Sequence, residues 1–335
     1  MPKPPARTVP VARFADAGLI SSEDVDGPWP GTHVEVGDIR VHLRTTPATS
    51  ADAEPALFVH GLAGSALNWT DFAGALRGRL AIEALDLPGH GLSGPAPRGR
   101  YSPQLHADTV VRYLEQSGRG PVHLVGNSMG GAVSILVAAQ RPDLVRTLTL
   151  LAPAVPDNRL RIYPLRANPR FALVFVPVLG ELVTRLFNSR YAPEVRAKGT
   201  IALCFADRSR FPAARMRELV DEVTERGTSP WAEAAVLRSM RSLAKSQLLG
   251  GRAGWRTMRR VAAPTLVVWG DRDRLVAPDL APYVAAAVPN SRLLEMDDIG
   301  HTPMMEAPGP TARAVLAFLD DTAVDDGPAD RAAGS

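Results

Sequence analysis

The chain has 335 residues, 45% of them hydrophobic, with 30 prolines, 28 glycines and a net charge of +3. That is enough apolar material for one or two packed domains, and a single cysteine, Cys204, excludes an internal disulfide and a multi-cysteine metal site. No apolar run approaches about 18 residues, and no apolar signal core follows Met1 to Arg7, so a cytoplasmic protein without membrane span or secretory leader is expected.

Residues 1–30 are rich in proline and charge and lack periodicity, which predicts an arm lying loosely on the body. His33–Val36 and Ile39–Leu43 alternate on either side of Gly37-Asp38, the pattern of a hairpin. Ala56–Val59 is wholly apolar, as a strand covered on both faces must be, and it runs into His60-Gly61-Leu62-Ala63-Gly64-Ser65. A helix over 67–76, a strand over 80–87 ending in Asp86-Leu87-Pro88-Gly89-His90-Gly91, and a second helix follow. Ser102 is the N-cap expected of that second helix, Pro103 its first residue and Gly118 its stop.

Val122–Val125 then leads into Gly126-Asn127-Ser128-Met129-Gly130-Gly131, with a helical run behind it. A serine between small residues on a sharp strand-to-helix turn has its hydroxyl pushed clear of the backbone, and larger side chains at 126 and 130 would collide across the turn. An ordinary glycine-rich turn or a phosphate cradle has the same local look. After a further strand over 144–151 the rhythm breaks. Residues 154–262 hold no convincing strand, and they carry 20 Lys and Arg against 9 Asp and Glu, a balance of +11, while the rest of the chain sums to −8. This basic helical insertion reads as a cap, with Pro212–Arg226 amphipathic and Phe171–Phe187 its most apolar part. Strand–helix alternation resumes with strands over 264–269 and 291–296, helices over 278–288 and 310–319, and a loose acidic tail.

The expected fold class is therefore α/β, a mostly parallel central sheet flanked by helices. Residues 31–153 and 263–321 would form the core, 154–262 the cap, 1–30 the arm and 322–335 the tail.

A serine hydroxyl is too weakly acidic to attack unaided. It needs an imidazole to take its proton and a carboxylate to orient the imidazole. Trp269-Gly270-Asp271-Arg272-Asp273 and Gly300-His301 close two later strands and so reach the same sheet edge as Ser128, in the order Ser, Asp, His. These segments, with His60-Gly61 and the Asp86–Gly91 loop, resemble the α/β-hydrolase fold with an inserted cap, over about residues 31–321. The resemblance implies Ser128 as nucleophile, Asp273 as acid and His301 as base, with the backbone N–H groups of Leu62 and Met129 as an oxyanion hole. Asp271 and Asp157 stand as rival acids, and His60 and His90 read as loop-shaping residues.

Serine rather than aspartate at the elbow implies acyl chemistry, the hydrolysis of an ester or thioester without cofactor or metal. Phe171, Phe175 and Leu179 are expected to line a hydrophobic acyl pocket. The elbow is also similar to that of meta-cleavage product hydrolases, which cleave carbon–carbon bonds. Their Gly-Pro-Gly loop is replaced here by Ala63-Gly64-Ser65, and their tryptophan after the catalytic histidine by Thr302. A triad-bearing small-molecule receptor has the same residues. The partner expected is a small acyl substrate and not nucleic acid, since no aromatic-basic platform is present. A cap both basic and locally apolar adds the expectation of weak membrane-surface contact.

Overall fold

The computed structural model describes residues 9–15, 27–157 and 169–325. The expected tail beyond residue 325 and most of the arm lie outside the described residues. Eight strands form one sheet: β1 (Gly31–Val36), β2 (Ile39–Thr46), β3 (Glu54–Val59), β4 (Leu80–Leu85), β5 (Val122–Asn127), β6 (Val145–Leu151), β7 (Thr265–Gly270) and β8 (Ser291–Met296). Their order is β1-β2-β4-β3-β5-β6-β7-β8. The β1–β2 and β2–β4 pairs are antiparallel, and every later pair is parallel. The mostly parallel α/β sheet expected from the alternation is the one observed.

Of the parallel strands, β5 and β7 are buried at every residue, because helices cover both faces there. One layer contains α1 (Thr70–Leu76) and the final helix. The other contains α2 (Pro103–Ser117) and α3 (Met129–Gln140). Beneath α1, Phe58, Trp69 and Phe72 pack as three tilted ring pairs with centroids 5.1–5.9 Å apart, each pair adding about 0.5–1.5 kcal/mol beyond its burial. The α2 boundaries follow the sequence signals. The Ser102 side chain accepts from Leu105 N at 3.1 Å, and Gly118 closes the helix at φ 64°, where a Cβ would be strained.

Between β6 and β7 the described residues are helical: a 3-10 segment over Pro169–Phe175, then α4 (Leu179–Arg190), α5 (Pro193–Cys204), α6 (Ala213–Gly227), α7 (Ala232–Leu249) and α8 (Gly251–Met258). After β7 come α9 (Ala281–Ala287), α10 (Pro303–Glu306) and α11 (Pro308–Asp325). The helix α11 runs further than hydrophobic periodicity suggested and takes in residues 322–325, which were expected in the tail. Of the arm, Val11 bridges Leu293 in parallel, with Leu293 N donating to Pro10 O at 3.0 Å, so residues 9–15 lie along the free edge of β8. No helix among the described residues is long and apolar enough to cross a membrane.

Candidate active site

Ser128 lies between β5 and α3 with φ 53° and ψ −117°, a left-handed conformation rare for a residue with a Cβ. Neighbouring groups hold this strain in place. Ser128 N donates to Leu151 O at 3.0 Å, and its carbonyl accepts from Ala132 N at 3.1 Å and Ala154 N at 2.8 Å. The glycines around it are required by proximity: a Cβ on Gly126 would stand 2.5 Å from the Gly130 carbonyl, and one on Gly130 would overlap the Val59 carbonyl. The expected backbone crowding at both positions is present.

The Asp and His loops come to the same edge. Asp273 Oδ2 lies 2.7 Å from His301 Nδ1, and its Oδ1 accepts from Leu275 N at 2.7 Å and Val276 N at 3.0 Å. Both side chains are almost wholly buried. With Nδ1–H donated to the carboxylate, the imidazole presents Nε2 as its basic nitrogen. Asn127, next to Ser128, ties this loop to the elbow: its Nδ2 donates to His301 O at 3.1 Å and to Leu151 O at 3.0 Å. Asp271, the nearer rival, pairs instead with Arg272 at the surface, and it is Asp273 rather than Asp157 that bonds His301.

The loop after β3 abuts Ser128, since a Cβ on Gly61 would lie 3.1 Å from Ser128 Cβ. Among the described residues, neither the Leu62 nor the Met129 N–H donates to a turn, loop or cap acceptor. His60 shapes this loop from below. Its Nε2 accepts from Leu87 N at 2.9 Å and its Nδ1–H donates to Gly61 O at 2.7 Å, and burial holds it neutral by lowering its pKa. His90 is equally buried, with Nδ1 3.1 Å from Pro88 O, and its pKa is pushed well down by burial and by the neighbouring His60 and His106.

Three buried acids around the site had no separate signal in the sequence. The Asp86 carboxylate takes three hydrogen bonds: Oδ1 accepts from Ala66 N at 2.6 Å, and Oδ2 from Leu92 N at 2.9 Å and His42 Nδ1 at 2.8 Å. Burial alone would raise its pKa, but the bonds and charges of His42 and His60 outweigh it and hold the carboxyl below its ordinary value. Glu306 binds the His301 loop to the helical insertion, accepting from Gly300 N at 2.7 Å, Ala206 N at 3.1 Å and Asp207 N at 2.8 Å. Glu222 on α6 accepts from Ser65 Oγ at 2.7 Å, while Arg226 Nη1 donates to Ala63 O at 2.9 Å, so α6 grips the Leu62 loop at two points. Asp86 was visible as part of a loop motif, but its partners were not.

Cys204 lies where α5 meets the His301 loop, its carbonyl accepting from His301 N at 2.7 Å. Burial and the charges of Asp273 and Glu306 push its thiol up to about 12, which keeps it protonated and inert. Of the expected pocket residues, the Phe171 side chain lies outside the described residues, Phe175 is half-buried, and Leu179 is 39% exposed, which does not place it in a closed acyl pocket. A cavity of about 240 Å³ does open between α3, α7 and α8, lined by Ala132, Ile135, Leu136, Ala154, Val155 and Met258 among others. Ala132 and Ala154 are the two residues hydrogen-bonded to the Ser128 carbonyl. No group of three or more histidines, cysteines or acids among the described residues is arranged to hold a metal.

The family model of the alpha/beta hydrolase fold matches residues 55–308. The chain belongs to that family. Among α/β hydrolases similar to it is Lipase 3 of Moraxella sp. (strain TA144), 28% identical over 291 residues that cover 85% of this chain and 82% of the relative. Lipase 1 of Psychrobacter immobilis is 28% identical over 272 residues, 79% and 76% of the two chains. A solved structure described as a membrane phospholipase A, a bacterial virulence factor, superposes with a TM-score of 0.68 at 25% identity, covering 87% of this chain and 86% of that one.

Proposed function

We propose that this α/β hydrolase is a serine esterase that cleaves carboxylic esters of hydrophobic acyl groups through an acyl-enzyme. The single observation that carries the reading is the buried Asp273–His301 pair at 2.7 Å, tied through Asn127 to the strained elbow that presents Ser128. In the first half-reaction Ser128 Oγ attacks the carbonyl carbon while His301 Nε2 takes its proton. The oxyanion forms against the Leu62 and Met129 N–H groups, and the alcohol departs with the proton from His301. Water, activated by the same nitrogen, then attacks the acyl carbon, breaks the ester to Ser128 and releases the acid.

The lipase names of the Moraxella and Psychrobacter relatives support an ester substrate. The apolar cavity adjoining the Ser128 carbonyl supports a hydrophobic acyl group, since a chain seated there leaves water for about 0.8 kcal/mol per methylene. A fluorophosphonate probe followed by a panel of p-nitrophenyl esters tests the proposal. Labelling and turnover are expected in the parent and in neither case with Ser128→Ala. No labelling of the parent sinks the mechanism, and labelling without turnover of any ester turns the reading towards a receptor.

A further inference from the structure

An amphipathic helix ordinarily buries its apolar face and turns its charges to water. The helix α4 does the reverse. Its attachment to the rest of the cap is polar: Glu181 is gripped by Arg241, whose Nη2 lies 3.0 Å from Glu181 Oε2 and also 3.0 Å from the carbonyls of Val174 and Val176. Two turns further on, Asn188 Nδ2 donates to Glu233 of α7. Leu179, Leu182 and Leu186 follow at helical spacing on the opposite side, and Leu182 is 52% and Leu186 59% exposed. Phe187 and Tyr191 pair beside them, ring centroids 4.7 Å apart, each about half in water. Val178, at the head of the helix, is 82% exposed and has a left-handed backbone (φ 68°) that turns the chain out.

These exposed residues are concentrated in one stretch of the chain. Nine of the fourteen large apolar side chains exposed among the described residues fall between 173 and 195. A patch of that kind, with the polar side of its helix already committed, calls for an apolar partner. Its surroundings say which one. Arg185 and Arg190 stand exposed on the same helix, in a cap whose residues 154–262 sum to +11. A second copy docking patch to patch would set two strongly basic caps against each other, whereas an anionic lipid surface offers hydrocarbon to the leucines and phosphate to the arginines.

We propose that α4 and the residues just before it form a lipid-docking face that seats the cap on an anionic bilayer, with Leu182 and Leu186 inserted at the level of the acyl boundary. The inference concerns binding alone and needs no catalytic assignment, so the Ser128→Ala protein should dock as the parent does.

Co-sedimentation with vesicles of phosphatidylglycerol and phosphatidylcholine at low salt tests it, with pure phosphatidylcholine vesicles and light-scattering mass measurement alongside. The parent is expected to pellet with the anionic vesicles and less with the neutral ones. Leu182→Glu combined with Leu186→Glu should cut the bound fraction by roughly tenfold or more, and Arg185→Gln with Arg190→Gln should weaken binding and flatten its salt dependence. All four positions are exposed, and an unchanged thermal melt establishes that the variants fold. A parent that stays in the supernatant overturns the proposal, as does a leucine variant that binds undiminished. A parent dimer that the leucine changes dissociate, with no vesicle binding, assigns the face to self-association instead.

Discussion

Glu222 of the cap accepts a hydrogen bond at 2.7 Å from the hydroxyl of Ser65, 157 positions earlier in the chain. Ser65 in turn caps the 3-10 segment over Ala66–Trp69 and follows the loop that offers the Leu62 N–H. The helical insertion thus reaches the Leu62 loop through a buried carboxylate. Truncating Glu222→Ala should therefore lower kcat by about 3- to 10-fold with little change in KM, the worth of one hydrogen bond at a positioning residue. Glu222→Gln keeps an acceptor for Ser65 and should restore most of the rate. Steady-state kinetics on a soluble ester separate the two, and equal losses in both variants would speak against a positioning role.

Glu222 also sets a pH trend. Burial, and then the charge of Asp86, raise its pKa above the ordinary 4.5, although Ser65 and Arg226 pull the other way. In the unfolded chain the group ionises at its ordinary value. Its contribution to stability is therefore fully present below about 4.5 and is lost as pH rises through the raised folded value. Glu222→Gln should flatten that decline and gain stability at neutral pH, read from urea unfolding midpoints between pH 4 and 8 (roughly the window of linkage).

Buried histidines act in the opposite direction. Burial depresses His106 to about 3 and His123 to about 4 and holds His90 well below its ordinary 6.5. Each unfolded imidazole takes up a proton near 6.5, so stability should fall as pH drops from there towards the folded values, by up to about 1.4 kcal/mol per pH unit per group. His106→Gln should reduce the acid slope. An unchanged slope would exclude His106 as a contributor.

Glu306 holds three backbone N–H groups from two separate loops. Glu306→Ala strands them and should cost several kcal/mol, at about 1–3 kcal/mol for each buried donor left without a partner. Glu306→Gln places an amide where a carboxylate oxygen stood and should destabilise by an intermediate amount. Both are measured by denaturant unfolding, and activity at a temperature below the transition should fall with the alanine variant because Gly300 precedes His301.

Replacing Leu136→Trp at the wall of the 240 Å³ cavity should shorten the preferred acyl chain. Excluding two methylenes at about 0.8 kcal/mol each lowers kcat/KM for octanoate relative to acetate by roughly tenfold. If the ratio for the variant matches the parent's across p-nitrophenyl acetate to octanoate, the cavity does not receive the acyl group.

Much of the core was legible because its signals are local. Ser102 and Gly118 delimit α2 through bonds and dihedrals within the helix, β8 runs over the stretch read as a strand, and the crowding that requires glycine at 126 lies within one turn, whereas that at 130 comes from β3. Local pattern also extended too little: hydrophobic periodicity placed the last helix over 310–319, but packing carries α11 from Pro308 to Asp325. The choice among Asp273, Asp271 and Asp157 was open until the loops met, since all three are carboxylates near a strand end.

The residue types and their order along the chain were enough to set the alternating sheet, the Ser128 elbow and the Asp and His that follow it. These depend on backbone geometry and side-chain chemistry within a few residues. Only the tertiary structure decided which carboxylate bonds His301, that Glu306 and Glu222 bind the cap to the two loops flanking Ser128, and that α4 turns its leucines outward. Those outcomes come from contacts between residues 28 to 157 positions apart, where burial and hydrogen-bond geometry, not local preference, select the partner.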